Sequence, residues 1–189
     1  MNETGEGGIA LLAIDLQHDF LAGNGRMPVA RNQVAGILNA ANRLLVLAGE
    51  MGWTVAYVVN EFSPWDFPAN LFRRHAAISG RPGSGIDPRV VMVEGLRFAK
   101  SKGDAFSNPD LTAFLNSQGI ARVVLTGVFA EGCIWRTALG ALRRGFAPVV
   151  VADAVASASD MRRTAALEKM RRRGIAIVSG EDLTRVTKS

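Results

Sequence analysis

Cysteine, aspartate and lysine side chains at three places in the chain are the candidates for chemistry. Cys133 is the single cysteine, and it follows a strand pattern and a glycine-containing turn at the start of a helical pattern. A helix N-terminus favours a thiolate, lowers the pKa of a thiol and can hold an oxyanion on its N–H groups. Asp15 ends an apolar run and could serve as general base for such a thiol. Lys100 and Lys102 are further candidates by residue type.

Each of these residues, taken alone, also has a purely structural explanation. A single cysteine is most often a small, inert, buried side chain. An aspartate after a strand commonly caps a turn or accepts a loop hydrogen bond. A lysine is usually on the surface. The nucleophilic interpretation therefore depends on the three being brought together by the fold.

Short apolar runs alternate with helical patterns and predict where these residues lie. Strands are predicted at residues 8–15, 53–59, 121–128, 147–153 and 175–179, with a further short strand at 90–93. Helices are predicted at residues 32–52, 109–115, 133–145 and 160–174. The alternation predicts a three-layer α/β/α fold, a mostly parallel sheet of about six strands with helices on both faces. Ligands bind such sheets at the carboxyl ends of the strands, near Asp15, Asn60, Glu61, Cys133 and Asp153.

The segment at residues 60–89 interrupts the alternation with an aromatic, proline-rich sequence. A loop of this length inside a domain is usually functional. We therefore expect it to form a pocket wall or a lid.

Composition narrows the class of protein. The 189 residues suit one domain over residues 1–189, and no apolar run approaches the roughly 20 residues that span a bilayer. The chain starts with acidic rather than basic residues, and its one cysteine cannot form an internal disulfide, so a cytoplasmic location is expected. Much of the net charge of +5 falls at residues 161–174, as the solvated face of a helix. Neither nucleic acid nor membrane is expected as a partner.

One alternative with the same α/β pattern is a dinucleotide-binding oxidoreductase. After its first strand the chain reads DLQHDFLAGNGRMP, not the G-x-G-x-x-G that opens a helix in such proteins. This alternative is therefore disfavoured.

Three segments, AIDLQHDF, AKSKGDAF and LTGVFAEGCIWRTALGALRRG, resemble in order and spacing the isochorismatase-like cysteine hydrolases. This family includes nicotinamidases, N-carbamoylsarcosine amidohydrolase, and ureidoacrylate and biuret hydrolases. The resemblance extends from about Leu11 to Ala156. It implies a catalytic triad of Asp15, Lys100 and Cys133, with Lys100 preferred to Lys102 because it stands four residues before the aspartate of D-A-F.

The resemblance also implies the site around this triad. It implies a cis peptide bond between Val128 and Phe129, and an oxyanion hole formed by the backbone N–H groups of Phe129 and Cys133. It places Gln17, Phe20, Phe129 and an aromatic residue of the long loop, either Trp65 or Phe67, around the substrate. A homodimer or homotetramer is expected, as is common in the family.

The activity that the resemblance implies is hydrolysis of a small amide, carbamoyl or ureido compound through a thioester, with release of ammonia or an amine. A nicotinamidase is one alternative, and a catalytically silent member with a binding role is another. Cys133 sets the chain apart from the cysteine-free branch that hydrolyses a vinyl ether.

The chain departs from the family pattern at two places. Ala130 stands where the family usually has threonine, three residues before the cysteine. The D-x-H metal-binding sequence of nicotinamidases reads Glu61-Phe62-Ser63 here, and the chain has only two histidines, His18 and His75. No metal and no cofactor are therefore expected, although His75 falls near a metal-binding position.

Overall fold

The computed structural model describes residues 7–183, and in that range six strands alternate with six α-helices. The strands are β1 (Gly8–Ile14), β2 (Thr54–Asn60), β3 (Leu96–Lys100), β4 (Ile120–Val128), β5 (Ala147–Ala156) and β6 (Ala176–Val178). The helices are α1 (His18–Leu21), α2 (Arg31–Glu50), α3 (Phe67–Phe72), α4 (Pro109–Ser117), α5 (Trp135–Leu142) and α6 (Asp160–Arg171).

The six strands form one sheet in the order β3-β2-β1-β4-β5-β6, and every neighbouring pair is parallel. This confirms the predicted α/β architecture. The chain adds strands on one side of β1 first, as β2 and β3, and then on the other side, as β4 to β6. The change of direction leaves a crevice at the carboxyl ends of β1 and β4, which is where such sheets bind ligands.

Both faces of the sheet are covered, which explains the continuous apolar runs. Leu11 and Ala13 of β1 pack into a core with α2, whereas Ala10, Leu12 and Ile14 pack into a second core with α4, α5 and α6. A strand that is buried on both faces needs an apolar residue at every position. The sheet is therefore held rigidly, and so are the residues that follow its strands.

The prediction of a strand at residues 90–93 is wrong, and the edge strand β3 was missed. The Val93 carbonyl oxygen instead accepts a hydrogen bond from the Tyr57 hydroxyl, and the Val93 N–H donates one to the same hydroxyl, outside the sheet. In β3, Leu96 and Arg97 are exposed, because the strand lies at the edge. Its sequence therefore lacks the apolar run by which the inner strands are recognised. The omission matters because Lys100 is the last residue of β3.

No helix within residues 7–183 has both the length and the apolar character to cross a membrane. The acidic residues 1–6, on which part of the cytoplasmic prediction rests, lie outside the described residues.

Gly127 is the position of β4 where a side chain could not be accommodated. Its φ is +124°, and a Cβ there would overlap the carbonyl oxygen of Ile14 on β1. Gly127→Ala is therefore expected to lower the free energy of unfolding by more than about 3 kcal/mol, measured by urea denaturation.

Gly36→Ala is the matched control, because Gly36 lies in α2 with open space around its Cβ position. Alanine there should stabilise the protein by about 0.5–1 kcal/mol. Equal effects of the two substitutions would contradict the assigned close approach of β1 and β4.

Candidate active site

Four neighbouring strands bring the candidate residues to one edge of the sheet. Asp15 directly follows β1, and Asn60 and Lys100 are the last residues of β2 and β3, paired in register with each other. Cys133 lies in the turn after β4. Because the strands are parallel, all four side chains emerge at the same end of the sheet.

Lys100 connects the aspartate to the cysteine. Its Nζ lies 2.9 Å from Asp15 Oδ2 and 3.4 Å from Cys133 Sγ. The side chains of Lys100 and Asp15 are at most 1% exposed, so the ion pair is enclosed. The other carboxylate oxygen, Asp15 Oδ1, is buried and has no hydrogen-bond partner among the described residues. It is therefore available to accept a proton.

Asn60 is a fourth member of this cluster, and the resemblance did not include it. Its Oδ1 accepts a hydrogen bond of 2.7 Å from Lys100 Nζ, and its Nδ2 lies 3.8 Å from Cys133 Sγ. The backbone of Asn60 is fixed by the Gln17 side chain, which accepts from its N–H and donates to its carbonyl oxygen. The signal in the sequence was only its position at a strand end.

The sequence pattern predicted that an α-helix begins at Cys133, but the structure differs. Residues Ala130–Ile134 form a π-helical turn, and α5 begins only at Trp135. The Val128–Phe129 peptide bond before this turn is cis. The Phe129 carbonyl oxygen accepts hydrogen bonds from the N–H groups of Gly132 and Ile134, the residues on either side of the cysteine.

The prediction that the pKa of the thiol is lowered is also wrong. Burial raises the pKa of the Cys133 thiol to about 12, and the adjacent charge of Asp15 acts in the same direction. Lys100 and the Asn60 amide oppose this rise without cancelling it. The resting cysteine is therefore a thiol at neutral pH.

Asp15 and Lys100 each stabilise the charged form of the other. Burial raises the pKa of the Asp15 carboxyl group, although the Lys100 ammonium opposes the change. At Lys100 burial disfavours the charge, but the charge of Asp15 and the hydrogen bonds to Asp15 and Cys133 oppose this, and the pKa of Lys100 is raised. Lys100 is thus positively charged at neutral pH.

A cavity of about 370 Å³ opens at Cys133 and Asn60. Its apolar wall consists of Phe20, Met27, Phe62, Ala76 and Phe129. Phe20 and Phe129 meet edge to face, with ring centroids 5.7 Å apart. Two of the predicted pocket residues, Phe20 and Phe129, thus line the cavity beside the cysteine.

Three other predicted pocket residues do not line it. Trp65 and Phe67 are 90% and 69% exposed and do not line the cavity, whereas Phe62 of the same loop does. Phe62 lies two residues after β2, and its N–H donates to the Ala77 carbonyl oxygen, whereas Trp65 lies in the following turn and Phe67 in α3. Gln17 is fully buried, its side chain is hydrogen-bonded to the Asn60 backbone, and it does not line the cavity.

The residues at the metal-binding position of nicotinamidases do not fit a metal ion. Glu61 forms an ion pair with Arg97, and Ser63 takes the place of a histidine ligand. Within residues 7–183 no group of three or more His, Cys, Asp and Glu side chains, His75 included, is arranged to hold a metal. No step of the chemistry below is assigned to a metal.

Comparisons with known proteins identify the family and the fold. The family model for the isochorismatase domain matches residues 9–182. The chain belongs to the isochorismatase family. The fold is also that of a solved isochorismatase family protein from Desulfovibrio vulgaris, with a TM-score of 0.87 over 97% of this chain and all of that one, at 23% identity.

Two curated relatives show the range of activity among similar sequences. A probable inactive nicotinamidase of Arabidopsis thaliana is 32% identical over 88% of this chain and 89% of its own length. Maleamate amidohydrolase of Pseudomonas putida is 30% identical over 77% of this chain and 71% of its own length. Family members are amidohydrolases, and one similar protein bears a name that denotes lost activity.

The electrostatic coupling of Asp15 to the thiol can be measured by alkylation. Asp15→Asn removes a charge that raises the pKa of Cys133, so more thiolate should be present at neutral pH. Iodoacetamide should react faster with this variant than with the wild type, by about tenfold for each unit by which the pKa falls. The rate is followed by intact mass, without ambiguity because the chain has one cysteine.

Asp110→Asn, at an exposed aspartate of α4, serves as the control and should react like the wild type. Slower alkylation of Asp15→Asn than of the wild type would show that Asp15 does not raise the pKa of the thiol.

Proposed function

We propose that the chain is a cysteine-dependent hydrolase that cleaves a small amide, carbamoyl or ureido compound through a thioester and releases ammonia or an amine. The observation that carries this proposal is the bridge formed by Lys100 Nζ between Asp15 and Cys133, beside a cavity of about 370 Å³. A nucleophile, a proton acceptor and a cation in mutual contact are the parts that acyl transfer requires.

In the first half of the reaction the thiol proton moves to Asp15 as Cys133 Sγ attacks the carbonyl carbon. The oxyanion is held by the backbone N–H groups of Phe129 and Cys133, as the family resemblance implies. The tetrahedral intermediate collapses with cleavage of the C–N bond. The leaving nitrogen takes the proton from Asp15, and the acyl group remains on sulfur as a thioester.

In the second half a water molecule gives a proton to Asp15 and attacks the thioester carbonyl. The C–S bond breaks, the acid product leaves, and the sulfur regains its proton from Asp15. Lys100 stays charged throughout and stabilises the carboxylate and the sulfur in turn. The raised pKa values suit this cycle, since the proton rests on sulfur and moves to a carboxylate whose basicity is increased by burial.

In this mechanism Asn60 positions Lys100. Its Oδ1 occupies one donor of the ammonium group, which directs the remaining donors towards Asp15 and Cys133. Its Nδ2 faces the sulfur and lowers the pKa of the thiol, so it favours the developing thiolate.

The alternative is a member that binds a ligand without turnover. Similarity to the probable inactive nicotinamidase of Arabidopsis thaliana is its support. The enclosed and mutually bonded Asp15, Lys100 and Cys133 favour the enzyme, because a binding protein has no use for a buried ion pair in contact with a thiol. A cytoplasmic location and a homodimer or homotetramer remain predictions.

Loss of the nucleophile tests the proposal. Cys133→Ala should reduce ammonia release from a panel of amides, carbamoyl amino acids and ureido acids to background, because no thioester can form. Asp15→Asn should lower kcat by about 10²–10⁴-fold, since proton transfer loses its acceptor. Ammonia is measured by a coupled assay, with thermal unfolding as a check on folding.

Asp110→Asn is again the control and should keep wild-type turnover. Full activity of Cys133→Ala would exclude a cysteine mechanism. Absence of ammonia from the wild type with every class in the panel would favour the binding alternative.

Asn60→Leu keeps the branching and the number of non-hydrogen atoms of the side chain, and it removes the hydrogen bonds to Lys100 and Cys133. We expect kcat to fall by about 10–100-fold, and alkylation at neutral pH to become slower, because the amide no longer lowers the pKa of the thiol. The slower alkylation is opposite in direction to that expected for Asp15→Asn. Asn39→Leu, at an exposed position of α2, is the control. Wild-type turnover and alkylation of Asn60→Leu would remove Asn60 from the mechanism.

A further inference from the structure

Part of the cavity lining is cationic. Lys102 and Arg136 line it together with Ser101 and Gly103, and both cations are exposed to solvent, whereas Asn60 at the inner end is buried. No acidic residue among those described lines the cavity. A molecule that reaches Cys133 therefore passes two positive charges.

These two cations differ from most of the arginines near them in having no counter-ion. Arg73, which also lines the cavity, is paired with Asp66, and Arg143 and Arg144 are paired with Asp104. Within residues 7–183, neither Lys102 nor Arg136 has an ion pair or a side-chain hydrogen bond. The inner ion pair of Lys100 and Asp15 is neutral as a unit, so it does not compensate them.

Gly103 holds the two cations on the same wall. A Cβ at Gly103 would lie 2.6 Å from both Cδ and Nη1 of Arg136, so the arginine side chain lies directly across this glycine, the neighbour of Lys102 in the chain. Both positive groups border the same cavity without a counter-ion, so an anion bound there is attracted by each of them.

The size of the cavity restricts the anion to a small molecule. A volume of about 370 Å³ lies near the lower end of the roughly 300–1,000 Å³ of small-molecule sites. The apolar lining, formed by Phe20, Phe129 and their neighbours, suits a short apolar body. Cys133 and Asn60 line the inner end of the cavity.

We propose that the substrate is a small acid amide or ureido acid: a molecule with a carboxylate at one end, bound by Lys102 and Arg136, and a cleavable amide or ureido carbonyl at the other, presented to Cys133. This rests on the proposed function and specifies its substrate class. The carboxylate is bound by the guanidinium and ammonium groups, and the short carbon body lies on the apolar lining. Neutral amides of the same size lack the first of these contacts.

The charge of the entrance can be tested without turnover by two alkylating reagents. Iodoacetate and iodoacetamide attach to sulfur through the same carbon but differ in charge. The ratio of their two alkylation rates is measured for the folded protein and compared with the ratio for the same chain unfolded in urea at the same alkaline pH. We expect the iodoacetate-to-iodoacetamide ratio to be at least about tenfold higher in the folded protein, and to fall at high salt. The double variant Lys102→Gln/Arg136→Gln should bring the ratio to within about twofold of the unfolded chain.

Arg143→Gln is the matched control, because Arg143 stands two helical turns after Arg136 and is paired with Asp104. It should leave the ratio unchanged. A folded wild type with the ratio of the unfolded chain would overturn the cationic subsite, whatever the protein hydrolyses.

The substrate class is tested by ammonia release from succinamate and from succinamide, which differ only in whether the second end is a carboxylate or an amide. We expect kcat/KM for succinamate to be at least about tenfold higher, and the preference to be lost in Lys102→Gln/Arg136→Gln. Equal use of the two compounds, or preference for succinamide, would overturn the substrate class while leaving the hydrolase intact. A failure of the proposed function itself would appear differently, as no ammonia from any member of the wider panel.

Discussion

The site depends on one enclosed ion pair, that of Lys100 and Asp15. Removing two charges from water is costly, and a single unpaired member of such a pair destabilises a protein by about 3–5 kcal/mol. Here the ammonium has three acceptors in reach, Asp15 Oδ2, Asn60 Oδ1 and Cys133 Sγ, which match its three donors. The sulfur is therefore part of the solvation of the pair. Its proton, its charge and its position are tied to those of Lys100 and Asp15.

The pair in turn explains why the sheet is built as it is. Asp15, Asn60 and Lys100 leave three adjacent parallel strands at the same level, and each strand is fixed by packing on its inner positions. Gln17, in the loop after β1, adds hydrogen bonds to the backbone of Asn60 at the end of β2 and to the Ser84 carbonyl oxygen. An ion pair of this kind works only with well-fixed partners, and a rigid sheet edge supplies them.

The sequence predicted the sheet and its four longer helices, because apolar runs and helical spacing are local signals. The grouping of Asp15, Lys100 and Cys133 was implied by the family resemblance, because nothing local to Lys100 indicates it. The prediction from sequence failed at β3, where the exposed side chains of an edge strand hide the pattern. It also gave the wrong direction for the pKa of Cys133. A helix start argues for a thiolate, but the sign is set by burial and by Asp15, which are known only from the fold. Trp65, Phe67 and Gln17 were misplaced for the same reason, since a loop sequence does not reveal which of its side chains turns inward. Lys102 and Arg136 could be proposed as a binding site for an anion only after the structure placed both in the cavity lining.

The central claim is that Cys133 carries the acyl group, and the most direct measurement is the mass of the protein during turnover. Wild-type protein mixed with succinamate and quenched in acid within one turnover should gain the mass of the acyl group, on the peptide that contains Cys133. The same peptide in Cys133→Ala should carry no such adduct. Ammonia release by the wild type with no covalent adduct at any quench time, and with turnover preserved in Cys133→Ala, would contradict the account.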